Sequence, residues 1–186
     1  LYLTMKIVDI LVDLTQHFEQ VVHVQIRWEP KTYLQEFIIP KWTPGSYTIR
    51  DHAQNLFDLN LKQNDENIDI DRVDTNKWIF NLETLEPLIL SYKIEARNLT
   101  VRTCYLDSLY SSLCLSAAIV LIEGYRYITH KLSFNLPSTW KVFTPLDGND
   151  FFLANDYDEL VDSPIHCGDF KSQKFYVNSR EHEILL

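Results

Sequence analysis

The chain has 186 residues, with 17 Lys and Arg against 26 Asp and Glu for a formal charge of -9, and 46% of its residues are hydrophobic. This composition is typical of a globular protein that is long enough to bury a core without disulfides or metals. The acidic balance and the absence of a Lys/Arg cluster leave no footprint for a phosphate backbone, so nucleic acid is not an expected partner.

The first half of the chain alternates apolar and polar residues with the period of two that is expected of half-buried strands. The clearest case covers 20–28, and the strand at 56–61 would present Phe57, Leu59 and Leu61 on one face. Further strands are predicted at 33–39, 68–72 and 78–82, the last two as a hairpin.

The second half continues the same pattern. The cleanest alternation covers 88–96 and predicts that Tyr92 and Ile94 face the core while Lys93 faces solvent. The run 117–122 is apolar throughout and predicts a central strand buried on both faces. Further strands are predicted at 127–136, 140–144 and 151–154.

Roughly nine or ten short strands with little helical periodicity predict an all-β fold, an antiparallel β-sandwich. Helix is confined to one or two short turns. Ser46 is a candidate N-cap for a turn through 50–54, and Asn155 or Asp156 for a turn through 158–161.

The sequence shows no membrane-spanning segment, no signal peptide and no disulfide framework, and these features bear on the cellular compartment. The longest nearly apolar run, 113–122, is well short of the ~20 residues of a membrane-spanning helix, and the first ten residues make a poor signal peptide. Cys104, Cys114 and Cys167 are odd in number and have no metal-binding spacing, which suits free thiols in a reducing compartment. The sequence therefore predicts a cytoplasmic protein with no membrane partner.

Three patterns could carry chemistry, and each has a simpler explanation. His182-Glu183 resembles part of a zinc peptidase motif, but Leu186 stands where the second His is needed. The carboxylates within 156–162 favour a helix start over a calcium loop. His166-Cys167 would point to opposite faces of a strand. We therefore predict no catalytic residue, no metal ligand and no cofactor in this chain.

The segment 39–51 is the most unusual in the sequence, because it places two Pro, one Gly, Trp42 and Tyr47 in a short connection between strands. Such a turn holds its aromatic rings on a fixed backbone at low entropic cost. Two interpretations stay open from the residues alone. The rings either plug the end of the sandwich or form a contact surface.

The stretch from Pro40 to Arg50, P-x-W-T-P-G-S-Y-x-x-R, resembles a signature of the glycyl aminopeptidase family, thermolysin-like zinc peptidases with a trailing PDZ domain. The resemblance continues in three ordered blocks. These are Asn98 to Thr103 with Leu106-Asp107, then Ile122 to Tyr125, and finally Asp156 to Pro164.

The resemblance implies an N-terminal β-sandwich domain at 1–169, with 170–186 as the link and first strand leading into a catalytic domain that this sequence does not include. Zinc is expected in that catalytic domain. This chain would be its non-catalytic N-terminal domain, which packs on the catalytic domain and walls the substrate cleft. The residues expected at the domain interface or facing the cleft are Trp42, Thr43, Pro44, Gly45, Ser46, Tyr47, Arg50, Arg102 and Thr103.

The expected partners are the catalytic domain of the same protein and, as a candidate, a peptide substrate. The chain alone is not expected to be an enzyme, whereas its parent would be a zinc aminopeptidase. The alternative is a free-standing β-sandwich module that binds a protein or peptide along an exposed strand edge.

Overall fold

The computed structural model describes residues 7–42 and 47–186. Strands make up 49% of the chain, and they form three sheets and a separate two-stranded ribbon. The all-β prediction is confirmed. No helix among the described residues is long and apolar enough to cross a membrane.

The strands of the described residues are β1 (Val8–Asp13), β2 (Val21–Trp28), β3 (Leu34–Ile38), β4 (Leu56–Gln63), β5 (Glu66–Ile68), β6 (Asp71–Asp74), β7 (Lys77–Asn81), β8 (Leu88–Glu95), β9 (Tyr105–Leu106), β10 (Tyr110–Leu113), β11 (Leu121–Ile122), β12 (His130–Asn135), β13 (Lys141–Phe143), β14 (Asp147–Gly148), β15 (Phe152–Ala154), β16 (Ile165–Gly168), β17 (Ser172–Val177) and β18 (Arg180–Leu185). The helices are η1 (His17–Glu19), η2 (His52–Asn55) and η3 (Leu115–Ala117), all 3-10, and α1 (Tyr157–Asp162). The described residues form more strands than the nine or ten that were predicted. Many of the additional strands are only two or three residues long, which is too short to show a period in the sequence.

The largest sheet has eight strands in the order β14-β15-β12-β1-β2-β8-β4-β5. Two four-stranded sheets have the orders β13-β16-β10-β9 and β11-β3-β7-β6. Among the described residues, every strand pairing is antiparallel except that of β1 with β12, which is parallel. Strand β1 was not predicted, although its alternate residues Val8, Ile10 and Val12 are buried.

Strands β2 and β8 form the centre of the largest sheet and pair without interruption from Val21 opposite Glu95 to Trp28 opposite Leu88. The predicted alternation in β8 is confirmed, because Tyr92 and Ile94 are buried while Lys93 is outside and pairs with Asp58 at 2.9 Å. The inward residues of both strands join one hydrophobic core. This core fixes the position of the loops at each end of the sheet.

Residues 117–122 do not form the predicted central strand. Only Leu121–Ile122 is a strand, and the rest is the turn η3 followed by irregular backbone. This backbone is buried, so its polar groups need internal partners. The Tyr92 hydroxyl donates to the Ala118 carbonyl at 2.8 Å and accepts from the Val120 N–H at 3.2 Å, and the Tyr157 hydroxyl donates to the Ile119 carbonyl at 2.6 Å. The two tyrosine hydroxyls therefore make the hydrogen bonds that a neighbouring strand would otherwise make with this backbone.

Strand β4 also departs from its predicted pattern. Its register with β8 shifts between Phe57 and Asn60, where Asp58 has a φ of 52°. A bulge of this kind inserts a residue and reverses which side chains face the core. Phe57 is therefore exposed, whereas Leu61 is buried, and the prediction that the two share a face is wrong.

Of the two predicted helical turns, the second has its predicted N-cap and the first does not. Asp156 caps α1, because its side chain accepts from the Glu159 N–H at 2.8 Å. The first turn begins later than predicted, with Asp51 at the N-cap of η2 and no side-chain capping bond. Ser46, the predicted cap, lies outside the described residues.

The buried tyrosine hydroxyls give a first prediction. Tyr92→Phe leaves the Ala118 carbonyl and the Val120 N–H without a partner in the core, so the free energy of unfolding should fall by about 1–3 kcal/mol. Tyr105→Phe is the matched control, because it removes a hydroxyl that donates to Asp107 at the surface, and it should cost less than about 0.5 kcal/mol. Urea unfolding of both variants is the measurement, and equal losses would contradict the role given to Tyr92.

His130 gives a pH-dependent prediction. Burial lowers its pKa below 6.5, against the smaller effects of the hydrogen bond to the Ile128 carbonyl and the charge of Asp156. The folded state therefore resists protonation of this ring. The stability that His130 supplies is complete above pH 6.5 and declines below it, because the unfolded chain takes up the proton first.

Unfolding free energies measured between neutral and mildly acidic pH should therefore fall less steeply in His130→Gln than in the parent chain. His166→Gln is the control, since His166 is exposed, and it should keep the slope of the parent. An unchanged slope in His130→Gln would show that protonation of His130 does not cause the loss of stability at acidic pH.

Candidate functional site

The loops at one end of the largest sheet contain four of the nine residues that the sequence places at an interface or cleft. Asp13 lies opposite Asn135 and His23, Val21 opposite Glu95, and Leu56 opposite Ile94. The loops that leave the sheet here cover 14–20, 47–55, 96–104 and 136–140, and we call them the open end. Tyr47, Arg50, Arg102 and Thr103 belong to it.

The loop 47–55 of the open end contains the last part of the unusual segment 39–51. Tyr47 is fully exposed, Ile49 is largely exposed, and 52% of Trp42 is accessible. The Arg50 N–H donates to the Lys41 carbonyl at 2.6 Å, so Trp42 lies beside the start of the open end. Thr43, Pro44, Gly45 and Ser46 lie outside the described residues. The exposure of these rings disfavours the interpretation that they plug the end of the sandwich.

Arg50 has an unusual environment within this loop. Its Nε atom is removed from solvent and has no hydrogen-bond partner. The adjacent His52 is buried, and this burial lowers its pKa, with a further decrease from the positive charge of Arg50. The loop therefore keeps one fixed positive charge without an acceptor for Nε.

The loop at 98–103 is held by its own hydroxyl groups. Thr103 donates to the Asn98 carbonyl at 2.5 Å and is 2.7 Å from the Thr100 hydroxyl, which accepts from the Arg102 N–H. Thr103 is thus a strut of the loop, while Arg102 is exposed. Val101 is 88% exposed and was not among the predicted site residues, because no periodicity in the sequence distinguishes it.

A cleft of about 510 Å³ opens beside this loop. Its walls come from residues 99–101, 112–116, 161–164 and His166, so separate parts of the chain meet here. The wall includes the Cys114 thiol, 3.2 Å from the Ser116 hydroxyl. Two of the blocks that resemble the peptidase family, at 98–103 and 156–164, therefore line one cavity.

The patterns that could have carried chemistry have structural roles. Asp156 and Glu159 cap α1, and Asp158 forms a paired contact with Arg126 at 2.6 and 3.1 Å. His166 is exposed and Cys167 buried, as predicted. Burial raises the pKa of the Cys104 and Cys167 thiols to about 12, which makes them poor nucleophiles.

No group of three or more His, Cys, Asp or Glu side chains is placed to hold a metal in the part of the chain that the structure describes. His182 stacks on Phe175 in the exposed ribbon, with ring centroids 5.4 Å apart. Its neighbour Glu183 lies on the other face of β18, because side chains alternate along a strand. This donor set does not fit a zinc ion.

The fold and the open end define a β-sandwich domain whose conspicuous surface is a set of loops, with a cleft, at one end of its main sheet. The chain belongs to the peptidase M61 N-terminal domain family, whose model matches residues 9–169. Comparison with curated proteins finds no match.

Solved structures share the fold. An aminopeptidase N family protein from Idiomarina loihiensis has a TM-score of 0.89 and 24% identity, over 96% of this chain and 32% of that one. An M1 zinc metallopeptidase variant from Deinococcus radiodurans has a TM-score of 0.58 and 7% identity, over 92% and 43%. Aminopeptidase A from Legionella pneumophila, in complex with aspartic acid, has a TM-score of 0.53 and 12% identity, over 96% and 23%. This chain spans less than half of each.

Proposed function

We propose that the chain is the non-catalytic N-terminal domain of a zinc metallo-aminopeptidase, that it packs on a catalytic domain, and that its open end walls the substrate cleft. The match of 9–169 to an N-terminal domain of a peptidase family carries this proposal. The names of the solved relatives, aminopeptidase and zinc metallopeptidase, support the same class. Zinc would be held by the catalytic domain.

The exposed apolar residues support the open end as the packing surface. Phe18, Ile49, Leu99 and Val101 lie on three of its loops, and each is more than half exposed. Apolar side chains left in water on a monomer commonly mark a contact surface. The adjacent cleft supplies the concave shape that substrate-binding sites require.

The finer assignment is a glycyl aminopeptidase with a trailing PDZ domain. The block from Pro40 to Arg50 and the three later blocks support it. A cytoplasmic location is supported by three free thiols, two of them buried. Peptide is the proposed substrate class of the parent protein.

The free-standing binding module is less well supported. An edge strand that accepts a peptide needs a flat, unprotected row of backbone groups. The edge strand β6 instead carries Asp71, Arg72 and Asp74, and its register shifts between the last two. Charges and bulges of this kind protect an edge from pairing.

The ribbon of β17 and β18 supports a domain boundary near residue 170. The two strands pair with each other and with no other strand of the described residues. One face presents Phe175, Val177 and Ile184, each between 41% and 48% exposed. A two-stranded ribbon is only marginally stable alone. We propose that this face packs in the domain that follows the sandwich.

Phe170 belongs with the sandwich, because its ring contacts Tyr110 and Phe143 at centroid distances of 6.0 and 5.7 Å. Deleting 172–186 should therefore change the free energy of unfolding by less than about 1 kcal/mol. Phe170→Ala in the full 186-residue chain should lower it by about 1–3 kcal/mol. Chemical denaturation tests both, and a large loss from the deletion would place the ribbon inside the sandwich domain.

The packing proposal is tested by charge placed on the open end of the longer protein. Val101→Asp should lower kcat/KM by about tenfold and speed protease cleavage near residues 170–171, since the buried charge weakens the interface. Tyr127→Asp is the matched control, because Tyr127 is 82% exposed but precedes β12 at the opposite end of the sheet.

Neither substitution should change the unfolding free energy of the 186-residue chain, since both side chains are in water there. The control should leave kcat/KM and cleavage unchanged. Equal effects of the two substitutions, or none from Val101→Asp, would overturn the proposed interface.

A further inference from the structure

The ribbon of β17 and β18 is a regular hairpin with both of its edges open. Its register is unbroken over six residue pairs, and the two-residue turn between the strands has positive φ angles at Asn178 and Ser179, 47° and 63°. Positive φ at both positions is the geometry that such turns favour, because its twist matches that of the strands. The side chains of both strands are exposed almost throughout, and neither strand pairs with a third one among the described residues. The hairpin is therefore formed without a neighbour on either side.

The edges of the ribbon differ from every other sheet edge in the described part of the chain. The edge strands β5, β9, β11, β13 and β14 have only two or three residues, and β6 has four residues with a shift in its register. Short edge strands and bulges are common protection against pairing with another chain. Strands β17 and β18 have six residues each, without proline and without a register shift. Unprotected edges of this length are templates for a further strand.

The hydrogen bonds at the base of the ribbon show which backbone groups face outward. Lys171 and Leu186 donate to each other's carbonyls, at 3.0 and 2.8 Å. Because bonded and non-bonded pairs alternate along an antiparallel ladder, the next pair, Ser172 with Leu185, is not bonded, and its N–H and C=O groups point away from the ribbon. The same alternation gives three outward-facing residues on each edge, which are Ser172, Lys174 and Tyr176 on β17 and Glu181, Glu183 and Leu185 on β18.

The apolar face of the ribbon narrows the choice of partner. A free peptide that added to one edge would leave the face of Phe175, Val177 and Ile184 in water, whereas a sheet inside a folded domain extends an edge and covers a face together. The ribbon lies outside the residues 9–169 that match the N-terminal domain family, and this chain covers only 32% of the Idiomarina relative. A longer protein of this kind contains enough further chain to supply such a sheet.

We propose that the ribbon is part of a larger sheet in the longer protein, in which a strand of the following domain pairs with β17 or β18 through its outward backbone groups. The partner is thus an extended segment that is recognised by its backbone. This inference rests on the proposed function for the identity of the following domain, and it adds backbone pairing to the packing of the apolar face.

Amide hydrogen exchange, resolved to single residues, tests the proposal in the longer protein and in the 186-residue chain. In the shorter chain the outward amides should exchange rapidly, since only water is available to them. In the longer protein the outward amides of one strand, Lys174 and Tyr176 or Glu181 and Glu183, should exchange at least about 100-fold more slowly, because a new ladder must open first. The inward amide of Phe175 is the internal control, since it is bonded across the hairpin in both proteins.

This control separates backbone pairing from packing of the apolar face alone. Packing alone would slow the exchange of Phe175 and leave all outward amides fast, and this result would overturn the proposal. Slow outward exchange that occurs in the 186-residue chain and increases with its concentration would assign the edge to a second copy and would also overturn it. The measurement requires no catalytic activity, so this proposal and the peptidase assignment can fail separately.

Proline placed at an outward position provides a second test. Lys174→Pro and Glu183→Pro each remove one outward N–H and leave the hydrogen bonds of the hairpin intact. Lys174→Ala and Glu183→Ala are the matched controls, because they shorten the same side chains and keep the N–H. In the longer protein, the proline variant of the paired strand should speed protease cleavage near residues 170–171 by about tenfold relative to its alanine control, since a buried acceptor loses its donor. If both proline variants match their alanine controls, no strand is bound at either edge and the proposal is wrong.

Discussion

The structure depends on keeping a short irregular segment, 115–122, inside the protein without leaving its peptide groups unpaired. Tyr92 on β8 and Tyr157 on α1 approach this segment and satisfy the polar groups of residues 118–120. Because the segment follows directly from Cys114, the same bonds fix one wall of the cleft. We therefore expect a change in the core around Tyr92 to alter this wall of the cleft as well.

Much of the fold follows from local pattern. The alternation in 20–28 and 88–96 is strong enough to predict β2 and β8 nearly to the residue, since each strand has one face in the core. The pattern fails where burial comes from something other than a strand. Residues 117–122 are apolar because they are buried beneath tyrosines from distant parts of the chain. The bulge at Asp58 reverses the alternation of buried and exposed residues in β4 by backbone geometry alone.

The site was predictable only in part, because a resemblance identifies residues without distinguishing support from contact. Thr103 braces its loop, and Tyr125 is buried with its hydroxyl on the Glu29 carbonyl at 2.5 Å. Tyr47 and Trp42 instead lie open to solvent. The exposed Val101 and the cleft beside it have no periodic signal, since they arise from long-range folding of loops. The unpaired Nε of Arg50 is likewise a property of the three-dimensional structure.

The parallel pairing of β1 with β12 has a consequence for how the chain reaches its fold. Val8 lies opposite His130, so β1, the first strand of the described residues, occupies the interior of the largest sheet and meets a neighbour made 122 residues later. Pairings over such distances are slow to form because a long loop must close first. During synthesis β1 can pair with β2 at once, yet its other edge stays open until residue 135 has left the ribosome. The sandwich therefore closes late, and until then the growing chain has an exposed strand edge that invites incorrect pairing.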